Sequence, residues 1–268
     1  MRVTAAVAIN AFRESVRDKV LYNLVLFAVL LIGASYSIGQ LTAGQDVKII
    51  KDFGLSATSI FGLFIAVFIG IGLVSKEVER RSIYALLSKP IRRSQIVIGK
   101  YCGLTLTLAV NLAVMAAALY AVLASMAWGV PPGVRAAWDA PALDPALLEA
   151  VGLIFVELML VTAVALFFST FSTPMLSAAL TFGLFIVGHL SGDLRNFREV
   201  VDSPSAAWVA RVVYWVLPHL SQFDIKADVV HGVHVPIGYV LMTVAYAALY
   251  IGMLLAISSL VFSRRDFK

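Results

Sequence analysis

Residues 55–75 read LSATSIFGLFIAVFIGIGLVS, without one charged side chain, and residues 76–100 continue as KEVERRSIYALLSKPIRRSQIVIGK. A helix needs about 20 apolar residues to cross a bilayer core of about 30 Å. The first stretch therefore reads as a membrane span and the second as the segment that leaves the membrane. Five further runs repeat the pattern, at about 20–39, 101–128, 146–170, 174–191 and 236–262. The 268-residue chain is 60% hydrophobic and 14% charged, whereas a soluble domain has roughly 45–50% and 25%. That balance excludes the soluble, disordered and collagen-like classes. The expected fold is an all-α membrane protein of six transmembrane helices. The largest piece between spans, residues 192–235, is too small for an independent catalytic domain, so residues 1–268 read as a single membrane domain.

Charge sets the orientation. Of the 21 Lys and Arg, fourteen fall before the first span, between the second and third, and after the last. The positive-inside rule then places both termini in the cytoplasm. The remaining seven, Lys48, Lys51, Arg135, Arg195, Arg198, Arg211 and Lys226, fall in outer segments. Residues 1–19 are too charged for a signal peptide, and no removed leader is expected. Ala5, Ala8, Ile9, Phe12 and Val16 share one helical face opposite Asn10, Arg13, Glu14 and Arg17, which predicts an amphipathic helix in the plane of the interface. In the outer segment, AAWVARVVYWVL at 206–217 is too short to cross. Its Trp208, Tyr214 and Trp215 suit an interfacial anchor or a segment that dips in and returns.

The stretch from Ser75 to Lys100 is the most informative. Glu77, Glu79, Arg80 and Arg81 stand where the span leaves the membrane, and Ser82–Ser88 favour a helix until Pro90 turns the chain. Ile83, Tyr84, Leu86 and Leu87 give that short helix an apolar face rimmed by charge, with Lys89 at its end. Such a face either lies on lipid headgroups or docks into a partner protein.

These residues resemble the permease subunits of ATP-binding-cassette transporters of the type-2 exporter class. The resemblance rests on E-x-E-R-R-S-I-Y-x-L-L-S-K-P-I-R-R at Glu77–Arg93 and I-x-x-G-K at Ile96–Lys100. It extends through FRESVRDKVLYN at 12–23, ELMLVTAVALFFSTFSTP at 157–174, LPHLSQFD at 217–224 and VVHG at 229–232. Ser82 stands where the family usually has Thr. The resemblance implies that the N-terminal helix is a connecting, or elbow, helix. It also implies that Glu77, Glu79, Arg80, Arg81, Ser82, Ile83, Tyr84, Leu86, Leu87, Lys89 and Pro90 form a coupling helix seated in a cleft of a separate ATPase. Two permease copies, as a homodimer or heterodimer, would work with two ATP-binding subunits in a bacterial cytoplasmic membrane. ATP and Mg would be bound by the partner, with no cofactor in this chain, and short extracytoplasmic helices would cap the exit route between spans five and six. The lever motion implied is a shift of spans one, two and five.

The residues themselves agree with an absent motor. A phosphate loop needs GxxxxGK followed by Ser or Thr, but Gly99-Lys100 has Ser94 at the first glycine position and Tyr101 after it. Glu157 falls near the middle of span four, where a charge costs about 2.5–3.5 kcal/mol on insertion scales. It either faces a subunit interface or substrate path, or is held inside the bundle by a Ser, a Thr or Asn111. His189, His219, His231 and His234 lack the spacing of a metal or haem site, and Cys102 is the sole cysteine. His189, Ser191 and Asp193 lie too close along the chain for a hydrolytic triad. Gly62, Gly70 and Gly72, and Ala109, Ala113, Ala116 and Ala117, offer small faces for helix packing. Ser169–Pro174 makes a tight turn between antiparallel spans. The competing class is a membrane scaffold that passes the ATPase motion to an extracytoplasmic partner. An ion-coupled carrier ranks last, because Glu157 stands nearly alone and no internal repeat is visible.

Overall fold

The computed structural model describes residues 2–41, 46–79, 93–135, 138, 141–190, 214 and 217–264. Every described element is helical. The order is α1 (Arg2–Val16), α2 (Lys19–Gln40), α3 (Asp46–Glu79), α4 (Arg93–Gly129), a single turn at Pro132–Arg135, α5 (Ala146–Ser169), α6 (Pro174–His189), a 3₁₀ turn (Leu220–Phe223), α7 (Lys226–Val230) and α8 (Ile237–Arg264). Five of these, α2, α3, α4, α5 and α8, are long and apolar enough to cross a membrane. Helix α6 is apolar but has 16 residues, about 24 Å of rise.

Helices α3 and α5 form the centre of the bundle. In the apolar window of α3 72% of residues are buried, against 22% in α2 and in α8, which therefore lie at the periphery. Lipid tails are as apolar as leucine, so helices associate in a bilayer through close packing. Helix α3 supplies the close packing with three glycines spaced eight residues apart. A Cβ at Gly54 would run into Leu119 of α4, one at Gly62 into Leu158 of α5, and one at Gly70 would stand 2.6 Å from the Ala165 Cβ of α5. The groove so formed runs antiparallel to α4 and parallel to α5. Gly72, by contrast, faces open space, and Ala113 and Ala117 of α4 are exposed.

Helix α1 lies along the start of α4. A Cβ at Gly99 would meet Thr4 O and the Val7 Cβ, both at 2.8 Å, and one at Gly103 would collide with Ala8 O and sit 2.7 Å from the Ala11 Cβ. The face turned inward is thus Thr4, Val7, Ala8, Ala11 and Ser15, whereas Ile9 is half exposed. This corrects the apolar stripe read from the sequence. Small residues let the two backbones approach, and the bulkier Ile9 remains on the outer face.

The ends of α3 and α4 also depart from the run-length reading. Helix α3 begins at Asp46 and takes in Lys51, which the positive-inside count had placed in an outer segment. Lys51 is wholly buried, with its Nζ 3.7 Å from Asp144 Oδ2. Asp144 Oδ1 accepts from Ala146 N at 2.9 Å, and Asp144 O accepts from the Tyr120 hydroxyl at 2.9 Å, so one residue ties α3, α4 and α5 together. Removing one partner of a buried pair costs about 3–5 kcal/mol, whereas replacing both with apolar groups is often neutral. Asp144→Ala is accordingly expected to lower the thermal midpoint of the purified protein, with Lys51→Met plus Asp144→Leu recovering much of the loss. A double variant no better than the single would contradict the assignment. Gly103→Val should strip α1 from α4 and expose the N-terminal segment to protease, while Gly152→Ala, which has no neighbour within 4 Å, serves as a silent control.

Candidate functional site

Two regions of the molecule carry chemistry. The first is the end of the bundle rich in Lys and Arg, where α3 finishes and α4 starts. Helix α3 has 34 residues and α4 has 37, which correspond to about 51 Å and 56 Å at 1.5 Å per residue. These exceed the hydrocarbon thickness by about 21 Å and 26 Å, with most of the excess of α3 at its Asp46 end and most of that of α4 at its Arg93 end. Glu77 and Glu79 stand on the last turn of α3. Arg80, Arg81, Ser82, Ile83, Tyr84, Leu86, Leu87, Lys89 and Pro90 lie outside the described residues. Beside the base of α3 a cleft of about 370 Å³ is lined by Glu14, Ser15, Asp18, Leu21, Phe68, Ile69 and Gly72. It is bounded by the end of α1 and the start of α2, where Asp18 caps α2 by accepting from Val20 N at 3.0 Å.

The second region lies inside the bundle toward the opposite end. Glu157, its side chain 3% exposed, places Oε1 3.3 Å from His189 Nε2 at the last residue of α6. The partner sought among Ser, Thr and Asn111 is thus a histidine 32 positions further along the chain. Burial of a carboxylate is tolerated when a partner of opposite character stands beside it. Glu157 lies eleven residues into α5, so the end of α6 is about 16 Å below the start of α5. The space above α6 is filled by the chain that follows. Leu220 seats on Gly188, where a Cβ would meet the Leu220 Cγ and Pro218 O at 2.9 Å each. Leu220, Phe223, Ile225, Val229 and Val230 are all buried, packed by the 3₁₀ turn against α5 and α6 and by α7 against α3 and α5. A Schellman turn ends α7, with Val233 N donating to Asp228 O at 2.8 Å and Gly232 N to Val229 O at 3.2 Å. Gly232 takes the φ of 71° that this turn requires.

Helix α8 holds the other side of this re-entrant stretch. His219 N donates to the Tyr246 hydroxyl at 3.0 Å, and the Tyr239 hydroxyl donates to Gln222 O at 2.7 Å. The His219 ring stands edge-on to Tyr214 at a centroid distance of 4.4 Å, and its Nδ1 is 3.4 Å from the Tyr246 hydroxyl. Lys226 Nζ and Asp224 Oδ2 form a pair at 3.5 Å and act through space on both Glu157 and His189. Glu157 therefore does not stand alone, as the sequence suggested. Among the described residues no group of three or more His, Cys, Asp or Glu side chains is arranged to hold a metal ion.

A bundle of apolar helices, with the charged junction of α3 and α4 at one end and a returning turn toward the other, defines a multi-pass membrane protein. Residues 5–194 match the family described as ABC-2 family transporter protein, and the chain belongs to that family. The match includes α1 through α6 and ends before the 3₁₀ turn. No curated protein matches the chain. Membership makes this chain the membrane component of a transporter and implies a partner subunit that binds ATP.

Burial lowers His219 below its ordinary imidazole value. The unfolded chain takes up a proton near pH 6.5 while the folded ring resists it, so this contribution to stability is full above about pH 6.5 and is lost as pH falls below it. A thermal midpoint that drops between about pH 7.5 and pH 5.5, and drops less in His219→Gln, is expected. Equal slopes for the two proteins would show that other groups set the dependence.

Proposed function

We propose that this chain is the permease subunit of an ATP-driven exporter, moved by a separate nucleotide-binding protein that grips the segment between α3 and α4. The observation that carries the reading is that both helices continue past their apolar runs into the basic segment. Helix α4 starts eight residues, about 12 Å, before its run, and α3 continues four residues, about 6 Å, past its own. The residues between them, from Glu77 through Pro90, combine charge with the apolar Ile83, Tyr84, Leu86 and Leu87. A charged segment joined to helix on both sides suits a lever better than a surface anchor. Helix α1, fastened to α4 at Gly99 and Gly103, would move with it, and Asp18 links α1 directly to α2. A push on the segment is then delivered to the first, second and third spans together.

In this reading residues 1–268 form one membrane domain with six crossings, α6 being the fifth. Both termini lie in the cytoplasm, a placement supported by the Lys and Arg distribution, and the membrane is a bacterial cytoplasmic one. Two permease copies, as a homodimer or heterodimer, work with two ATPase subunits, which bind the ATP and Mg. ATP-driven closure of the motors shifts the 77–89 lever, and the bundle opens on the side away from the cytoplasm.

Replacing Glu79, Arg81 and Leu86 together with alanine is expected to release the ATPase on co-purification and to abolish its stimulation by the permease. Full retention of both would remove the docking role. Glu157→Gln should preserve assembly with the ATPase yet alter coupled turnover in reconstituted vesicles, and an unchanged rate would confine Glu157 to packing.

A further inference from the structure

We propose that the Glu157–His189 pair is the latch of an outer plug made by residues 218–230. The plug closes the bundle at the depth where α6 stops. The inference rests on the exporter reading only for the word outer; the latch itself follows from the packing. Helix α6 ends at His189, about 16 Å below the start of α5. The chain returns into that gap with Leu220 on Gly188 and Phe223, Val229 and Val230 buried. The returning stretch is thin, a single 3₁₀ turn and five residues of α7, and its backbone is tied to α8 by the Tyr246 hydroxyl on His219 N and the Tyr239 hydroxyl on Gln222 O.

The pair adds a hold from within the bundle. His189 is the residue after Gly188; its Nδ1 stands 3.3 Å from Phe185 O of its own helix and its Nε2 3.3 Å from Glu157 Oε1 of α5. The end of α6, and with it the notch that receives Leu220, is thereby pinned to α5. The Lys226–Asp224 pair of the plug lies within electrostatic reach of both residues, so polar side chains from both parts meet where plug and bundle join. Glu157 and His189 are positioning residues, holding the notch rather than touching cargo.

The test uses the full chain assembled with its ATPase in vesicles, with the exposed Cys102 changed to serine and a cysteine introduced as Phe223→Cys. The probe is a charged, membrane-impermeant thiol reagent added from the outer side. With the pair intact the cysteine is expected to react slowly. His189→Ala and Glu157→Ala should each raise its labelling rate at least tenfold without nucleotide, and the exchanged pair, Glu157→His with His189→Glu, should bring the rate back toward the starting value. A labelling rate unmoved by either single change, or an exchanged pair as open as the singles, overturns the latch. Circular dichroism and ATPase co-purification verify that each variant is folded. Labelling that follows the latch variants but never responds to ATP would leave the latch standing and count against the exporter reading, which keeps the two failures distinct.

Discussion

Close approach of α3 to its neighbours is the constraint on which the bundle depends. Gly54, Gly62 and Gly70 cut a groove along α3 that receives Leu119 from one side and Leu158 and Ala165 from the other. In water such a groove would be one contributor among many, but in hydrocarbon the hydrophobic effect no longer drives helix to helix. Dispersion between surfaces that fit is then the main attraction available. The peripheral helices follow from this. Helix α2 buries Leu21, Ala28, Ile32, Ser35 and Gly39 on one stripe and leaves Phe27, Leu30 and Leu31 outward, as suits an element that touches the centre on one side and acyl chains on the other.

The polar side chains obey the same solvent. Thr58, Thr107, Thr162, Thr181 and Ser258 each donate to the carbonyl four residues back in their own helix, so their hydroxyls need no partner from outside. The ionisable groups have no such local remedy and are met by residues from other elements: Lys51 by Asp144, Glu157 by His189. The first lies at the start of α5 and the second at its middle, and both join α5 to another part of the chain. The basic end is fastened by backbone against backbone where α1 crosses Gly99 and Gly103.

Much of this was legible in the sequence, for an identifiable reason. Where a span is bounded by turn formers, run length found its ends closely: 20–39 against Lys19–Gln40, 146–170 against Ala146–Ser169, 236–262 against Ile237–Arg264. It failed at the starts of α3 and α4, where nine and eight helical residues were missed. Lys48, Lys51 and Asp52 in the first case and Arg93 and Lys100 in the second read as loop, yet backbone hydrogen bonding in a helix is indifferent to side-chain charge. Glu157 announced itself because a carboxylate amid Leu and Val is conspicuous. His189 did not, since its partnership spans two helices and no periodicity encodes which end of α6 comes level with which turn of α5. The re-entry of 218–230 was hidden for the same reason. Leu220, Phe223 and Val230 look like ordinary members of a polar stretch until the shortness of α6 creates the space they fill.

That shortness has a consequence for the surrounding lipid. The outward face of α6 carries Met175, Leu176, Leu180 and Ile186 on a rod of about 24 Å, beside neighbours that could serve a much thicker film. If α6 is the fifth crossing, as proposed, acyl chains along this flank would have to shorten, tilt or bow to match it, at a fraction of a kcal/mol for each ångström of mismatch. The leaflet would then be pinched along one side of the molecule, and membrane thickness would become a mechanical input to the part of the bundle that holds His189.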